Sequence, residues 1–508
     1  MTQTSGLSRR TLMQGAAVAA AVPAVVAATG TPASAVTNPL SGSDPVLHLL
    51  RRATFGPTPA SLARARRLGA AAWLDEQLRP SAMDDATCTR VVRRFVGLRD
   101  PIWKVRERSS FGSWDQMFNL QRATIVRAAW SNRQLLEVMV ELWSNHLNMT
   151  CPASDVWDSR AHVDEFVIRP HALGTFSDLL VATTTHPCML RYLDNASSTK
   201  RAPNENLGRE LLELHTVGIG QYSEADVLNS SRILTGLSTS SDTGEFLYKP
   251  QDHWVGPVRV LGFRHANPTS TGGRDVTVAY LRYLAMHPAT ARSIAWKLAR
   301  RFVSDAPPAV LVDRLARTYL AHRTAIAPVL RELFASREFA ASAGHKVKRP
   351  LEDLISTLRI LGISPDVSGV KGLTALGWMA GSVGQAPLAY HPPTGYPDVA
   401  AAWQSTGGTL QRWNMHLGLV NNWWPKELRT PQPRTLLPAR LPATHGALVD
   451  ALAMRLVFRP LGSAHRAAVL TFLEVGASTV LTPTSPAVTW RLATAAALIL
   501  DSPYFQLR

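Results

Sequence analysis

The sequence predicts a mainly α fold, a large multi-helical globular domain. Three observations carry this: long runs with apolar residues three and four apart, entry and exit signals bracketing them, and 46% hydrophobic content spread over 508 residues. One region departs from the pattern, a short β-hairpin or irregular excursion near residues 237–275, where glycines, His253, His265 and short β-like pieces such as 258–261 replace helical periodicity. Single cores stop growing at about 250–300 residues. Residues 44–508 therefore read as a single large helical domain or as two fused helical lobes meeting near 237–275.

Residues 1–35 read as an export signal. Ser8-Arg9-Arg10-Thr11-Leu12-Met13 precedes a weakly apolar run, 16–28, and Ala33-Ser34-Ala35 offers small residues for cleavage, the pattern of a twin-arginine signal peptide. Pro23 and the shortness of the run argue against a membrane span, which needs about 20 apolar residues. No later run is long enough either, so the expected product is secreted or held in the cell envelope with no transmembrane anchor after cleavage. Twin-arginine export carries folded passengers, which favours a cofactor without naming one. A Pro/Ser/Gly linker follows at 36–43.

Helical segments then follow in order. Asp44 to Arg52 is the first; Thr58 caps the next, with Pro59 in its first turn and Gly69 at its exit. Residues 70–78 form another, and 115–149 hold two long helices, the second from Gln134 to Met149 with the polar tail Glu141-Leu-Trp-Ser-Asn-His146. Phe166 to Thr183 continues the series, His186-Pro187 leads onward, and Ser223-Glu-Ala-Asp226 is a capping box for a helix running to Leu234. Beyond the β-like excursion, helices are expected at 278–286, 289–302, 309–322, 325–335 and 351–361, a half that reads as scaffold. The proline-rich stretch 381–403 cannot stay helical and offers Tyr390, His391, Tyr396 and Trp403, aromatics that either line a ligand pocket or pack against the body. Helices at 410–424, 447–457 and 486–501 complete the chain.

Charge and cysteine content narrow the function classes. The formal charge is +17, about +15 without the two signal arginines. Such a surface attracts anionic polymers, lipid headgroups or phosphorylated substrates. No zinc-finger spacing, RNA-recognition signature or basic helix run points to nucleic acid. Cys88, Cys151 and Cys188 permit one disulfide at most, Cys151 with Cys188 being the expected pair, and no CxxC spacing supports a cysteine-bound metal. GxSxG, GxxxxGK[ST], HExxH, EF-hand and GxGxxG signatures are all missing. Glu210-Leu-Leu-Glu213-Leu-His215 misses the Glu-x-x-His spacing of di-iron bundles by one residue.

The densest chemistry lies between Leu193 and Gly220. A helix starting at Asn204 would align Leu207, Leu211 and Leu214 as an apolar stripe, with Asn206, Glu210 and Glu213 opposite and Glu205 and Arg209 beside them. The polar face has two readings. In one, Glu205 pairs with Arg209 and the face is solvated or closes a structural network. In the other, Asp194, Glu205 and Glu210 hold a divalent metal or act as acid and base. Candidate catalytic residues are then Glu210, Glu205, Asp194 and His146, and candidate substrate-binding residues are Arg209, His253, Tyr390, His391 and Trp403.

Several stretches together resemble one family: Leu49-Leu-Arg-Arg-Ala-Thr-Phe-Gly-Pro-Thr58, Trp143-Ser-Asn-His146, Tyr192-Leu-Asp-Asn195, Asn204-Glu-Asn-Leu-Gly-Arg-Glu-Leu-Leu-Glu-Leu-His-Thr-Val-Gly218, Gly384-Gln-Ala-Pro, Pro393-Thr-Gly-Tyr-Pro397 and Ser502-Pro-Tyr-Phe-Gln506. They look like the domain of unknown function 1800 family from about residue 44 onward. The resemblance implies a bacterial, exported, helical protein of no assigned activity, often encoded beside a sulfatase/alkaline-phosphatase-like partner. The segment Gln251 to Gly262 departs from the pattern: many relatives carry an aspartate and a lysine before the Leu-Gly pair, for which Arg259 is at best a partial substitute. Two functions fit these expectations: a metal-assisted hydrolase of an envelope or extracellular polymer, or a non-catalytic envelope binding or scaffold protein acting with that partner.

Overall fold

A computed structural model describes Leu40 and residues 44–366 and 368–508. The signal 1–35 and most of the linker 36–43 lie outside the described residues. The mainly α expectation holds, with helices from Pro45–Ala53 to Pro503–Gln506 and two small antiparallel hairpins. Among the described residues no helix is long and apolar enough to cross a membrane.

Local signals act as read. The Asp44 carboxylate accepts the Val46 N–H at 2.8 Å to start the first helix. Thr58 and Ser61 exchange bonds in a capping box at the head of Pro59–Leu68, which exits through Gly69 at φ +80°. Ser223 and Asp226 do the same for Glu224–Leu234. Each cap satisfies N–H groups that the helix itself leaves unpaired.

The β-like excursion resolves into β1 (Leu237–Thr239) with β2 (Phe246–Tyr248), and β3 (Val258–Val260) with β4 (Phe263–His265). Val260 pairs with Phe263, so the second hairpin turns on Leu261-Gly262, both at positive φ. That is the backbone a two-residue hairpin with right-handed strand twist demands. Leu261 is secured there by Asp226, which accepts its N–H at 2.9 Å, and by Tyr283, whose hydroxyl donates to its carbonyl at 2.7 Å.

Three sequence expectations are corrected. The helix expected at 166–183 is two: Arg160–Val163 runs through a π turn, Asp164–Ile168, to His171, and Phe176–Thr184 begins anew where Thr175 caps it. The helix from Asn204 is α-helical only over Glu205–Glu210 and widens into a π turn over Leu211–His215. The extra residue in that turn shifts the buried stripe, so Leu207, Leu211, Leu212 and His215 face inward while Leu214 is half-exposed. Finally, Cys151 and Cys188 form no disulfide. All three cysteines are free and buried, and burial pushes the Cys88 and Cys151 thiols up to about 12 and Cys188 to about 11. Helices at Arg337–Ala340, Lys371–Ser382 and Ser463–Leu473 were not foreseen, the second because its three glycines weaken the helical signal.

One apolar core runs from Leu47 to Phe505, and the described residues form one compact unit. Two helices at its centre, Gln134–His146 and Pro350–Leu361, are buried on nearly every face yet carry charge, Glu137 and Glu141 on one, Glu352 and Asp353 on the other, with the polar His146 ending the first. Buried charge requires partners, and these partners build the site.

Candidate functional site

The acidic stretch is a surface network. Asp194, in the left-handed region at φ +60°, accepts from the Asn206 amide at 3.2 Å. Arg209 meets Glu205 at 3.3 Å, the expected i, i+4 pair, and grips Glu224 with both nitrogens at 2.9 and 2.6 Å. Glu210 is half-buried beside Glu213, and burial followed by that neighbour's charge raises its carboxyl to about 7. Glu213 accepts the Tyr222 hydroxyl. Among the described residues no group of three or more His, Cys, Asp or Glu side chains could hold a metal, so Asp194, Glu205 and Glu210 are not gathered into a ligand set.

His253 lies fully buried with its two ring nitrogens engaged by the Thr235 carbonyl at 2.8 Å and Asn267 Oδ1 at 3.0 Å, an anchor between the hairpins. The exposed His391 takes part through its backbone, where its carbonyl accepts the Tyr192 hydroxyl at 2.8 Å. Trp403 donates to the Pro397 carbonyl at 3.0 Å and packs at a tilt on Tyr396, ring centroids 5.9 Å apart. Tyr390 and His146, by contrast, open onto a common cleft.

That cleft, of about 260 Å³, lies between the end of Gln134–His146, the helix Pro288–Phe302, Arg349 and the loop 390–398. The loop is tied down from the helix side: Asn148 donates to the carbonyls of Tyr390 and Pro392, both at 2.8 Å, and Asn145 Oδ1 accepts the Tyr396 N–H at 3.1 Å. Gly395, at φ +70°, lies so close to Asn145 that a Cβ would overlap its carbonyl. Tyr390 and Tyr396 stand with ring centroids 4.9 Å apart on this wall.

Electrostatics on the opposite wall are dominated by cations. Lys297 Nζ donates to His146 Nδ1 at 2.8 Å, and the other imidazole nitrogen, Nε2, donates to the His215 carbonyl at 3.1 Å. Both contacts require neutral His146, and burial, then Lys297 and His215, hold its pKa well below the usual value. Burial and Arg300 bring Lys297 down to about 8. Behind them, Glu141 takes both terminal nitrogens of Arg349 at 2.9 and 2.7 Å, while Glu352 meets Arg301, Arg349 and Arg508 together, the latter two at 3.1 Å. Lys346 bridges Asp305 at 2.7 Å and Asp398 at 2.9 Å. Burial would raise Glu352, but Arg301, Arg508 and Arg349 overcome it and keep the carboxylate ionised.

Arg300 stacks on Trp296, its guanidinium carbon 3.9 Å from the ring centroid, and donates to the Asp305 carbonyl at 3.0 Å. Neither Lys297 nor Arg300 makes an ion pair with a described carboxylate. Four cations thus face the cleft with Glu141 and Asp398, and two of the four are not neutralised by contact. Such a surface is built to receive an anionic group. Lys297, Arg300 and Arg301 were missed because residues 278–361 read as scaffold, although their i, i+3, i+4 spacing already placed them on one helix face.

No curated protein and no solved structure matches this chain. A family model described as "Protein of unknown function (DUF1800)" matches residues 48–507. That match spans the first buried arginines, the acidic stretch, both walls of the cleft and the closing helices, and the chain belongs to the DUF1800 family.

Proposed function

We propose that this protein is an exported envelope protein that binds an anionic unit of an extracellular polymer in the cleft between Lys297 and Tyr390. The observation that carries this reading is the pair of cations, Lys297 and Arg300, that face the cleft with no carboxylate in ion-pair contact, Asp398 and Asp305 acting on Arg300 only at longer range. At about 260 Å³ the space is below the roughly 300–1,000 Å³ of drug-sized pockets, so it suits one charged residue of a chain and not a length of it. Tyr390, Tyr396 and Trp296 supply flat faces for a sugar ring beside the charges. A sulfatase/alkaline-phosphatase-like partner fits the same chemistry, since it would act on anionic esters of the polymer held here.

The test is binding of the mature chain to polygalacturonate and to poly(glycerol phosphate), with neutral dextran as control. Both polyanions should bind with steep salt dependence, and Arg300→Ala should weaken them by about tenfold, the 1.4 kcal/mol of one charge-assisted contact. Equal binding of dextran would refute the proposal. Hydrolysis of the polymer is a second reading, supported by the Glu210 carboxyl near 7, a value suited to a general base or acid. Glu210 does not line the cleft, so turnover that survives Glu210→Gln would remove its support.

A further inference from the structure

We propose that Lys297 is a carbonyl-trapping amine, condensing with the keto carbon of a small 2-oxo acid whose carboxylate is held by the guanidinium groups sharing its cleft. The inference rests on the anion-binding reading of the cleft and adds covalent chemistry to it. Lys297 Nζ is offered to a neutral base, His146 Nδ1 at 2.8 Å, and to the Leu214 carbonyl at 3.4 Å, with no carboxylate to fix it as an ammonium ion. A lysine that is desolvated and set beside another cation, brought down here to about 8, keeps a minor but usable share of free amine near neutral pH that grows as pH rises, and the ordinary use of such an amine is attack on carbonyl carbon. Arg300 and Arg301 lie three and four residues along the same helix, within the same cleft.

The step balances without a further reactant. The Nζ lone pair forms a bond to the keto carbon while the C=O π electrons move to oxygen. A proton leaves nitrogen for His146 Nδ1 and returns to that oxygen. The remaining N–H proton then passes through the same imidazole to the hydroxyl, which leaves as water while the nitrogen lone pair closes the C=N bond, and the net change is amine plus ketone to imine plus water. His146 can pass this proton because its other nitrogen is anchored on the His215 carbonyl, which fixes which face of the ring meets Lys297.

A second lysine provides the internal control. Lys348 is brought down to about 7 by burial, lower than Lys297, but it donates to Ser356 Oγ at 2.8 Å, lies over the Phe505 ring and faces a cavity of only about 30 Å³, room for a water or two. Low basicity without space should leave it unreactive.

The experiment incubates the full chain with pyruvate and sodium cyanoborohydride, maps reduced adducts by peptide mass spectrometry, and measures inorganic phosphate binding in parallel by calorimetry. The expected result is a secondary amine on Lys297, abolished in Lys297→Arg and suppressed by excess phosphate, with Lys348 and the exposed Lys200 at background. Phosphate binding with no adduct at Lys297, or adduct spread equally over Lys200 and Lys297, overturns the proposal while leaving the anion site standing. Absence of both phosphate binding and adduct overturns the two together.

Discussion

Glu352→Gln is the sharpest test of the charge network behind the cleft. The substitution keeps the side chain's shape and its capacity to accept the Arg349 N–H at 3.0 Å, and removes one negative charge from the point where Arg301, Arg349 and Arg508 meet. All four side chains are buried. Removing one member of a buried ion pair costs about 3–5 kcal/mol because the remaining charge stays out of water unpaired. Against a total stability of about 5–15 kcal/mol for ordinary domains, that is a large fraction, and denaturant unfolding followed by tryptophan fluorescence would show the midpoint fall. The arginines left behind should then prefer an external anion. Sulfate should therefore stabilise the variant more than the wild type, by about 2.7 kcal/mol at a hundredfold excess over its dissociation constant. A loss below about 1 kcal/mol, or sulfate stabilisation no larger than in the wild type, would refute the claim that Glu352 neutralises this cluster.

Other outcomes follow from single contacts. His416 lies buried between Asp501 at 2.7 Å and Asp353 at 3.3 Å; burial alone would lower it, but the two carboxylates raise it to about 9. Its contribution to stability is complete below the ordinary histidine value near 6.5 and is lost as pH rises through 9, so stability measured from pH 6.5 to 9.5 should fall in the wild type and flatten in His416→Asn. Glu210 behaves in the opposite sense to a salt-bridged carboxylate: with its folded value raised to about 7, stability should decline as pH climbs from about 4.5 to 7, and Glu210→Gln should remove that decline. A flat profile in the wild type would contradict the burial assigned to it. Gly395→Ala should displace the loop 390–398, lowering stability by about 1–3 kcal/mol and weakening polyanion binding together, and unchanged binding would show that the loop does not form the cleft wall.

What could be read from the sequence was local. The caps at Thr58 and Ser223, the Glu205–Arg209 pair and the helix exit at Gly69 depend on residues within a turn of each other, and the structure repeats them. The apolar stripe at Leu207, Leu211 and Leu214 failed at its last member because a π turn has the same composition as an α turn and differs only in how tertiary packing spaces it. The cleft failed for a different reason. Glu141 finds Arg349, Glu352 finds Arg508, and His146 finds Lys297 across separations of roughly 150–210 residues, and no periodicity links such partners. The polar tail at Glu141–His146 was visible as unusual, but the residues that answer it stood in a half that looked like plain helical scaffold. Tyr390 was legible because proline pinned its loop, whereas His253, chosen by residue type, is an internal brace.

The π turn at Leu211–His215 has a consequence for how the chain tolerates length changes. The carbonyls of Leu214 and His215 leave this wide turn without an intrahelical partner, and they are the ones that receive Lys297 and His146. Thr216 closes the turn by donating to the Leu211 carbonyl at 2.6 Å. Removing Leu214 alone would let the helix relax to ordinary α spacing and swing everything after it by about 100°. The hydrophobic pattern would look improved, yet both carbonyls would turn from the cleft and the imidazole–amine pair would lose its supports. A one-residue deletion that regularises the helix is thus expected to keep the Glu205–Arg209 pair that precedes it, while breaking the grip of Arg209 on Glu224 and disarming the cleft wall that Lys297 and His146 form.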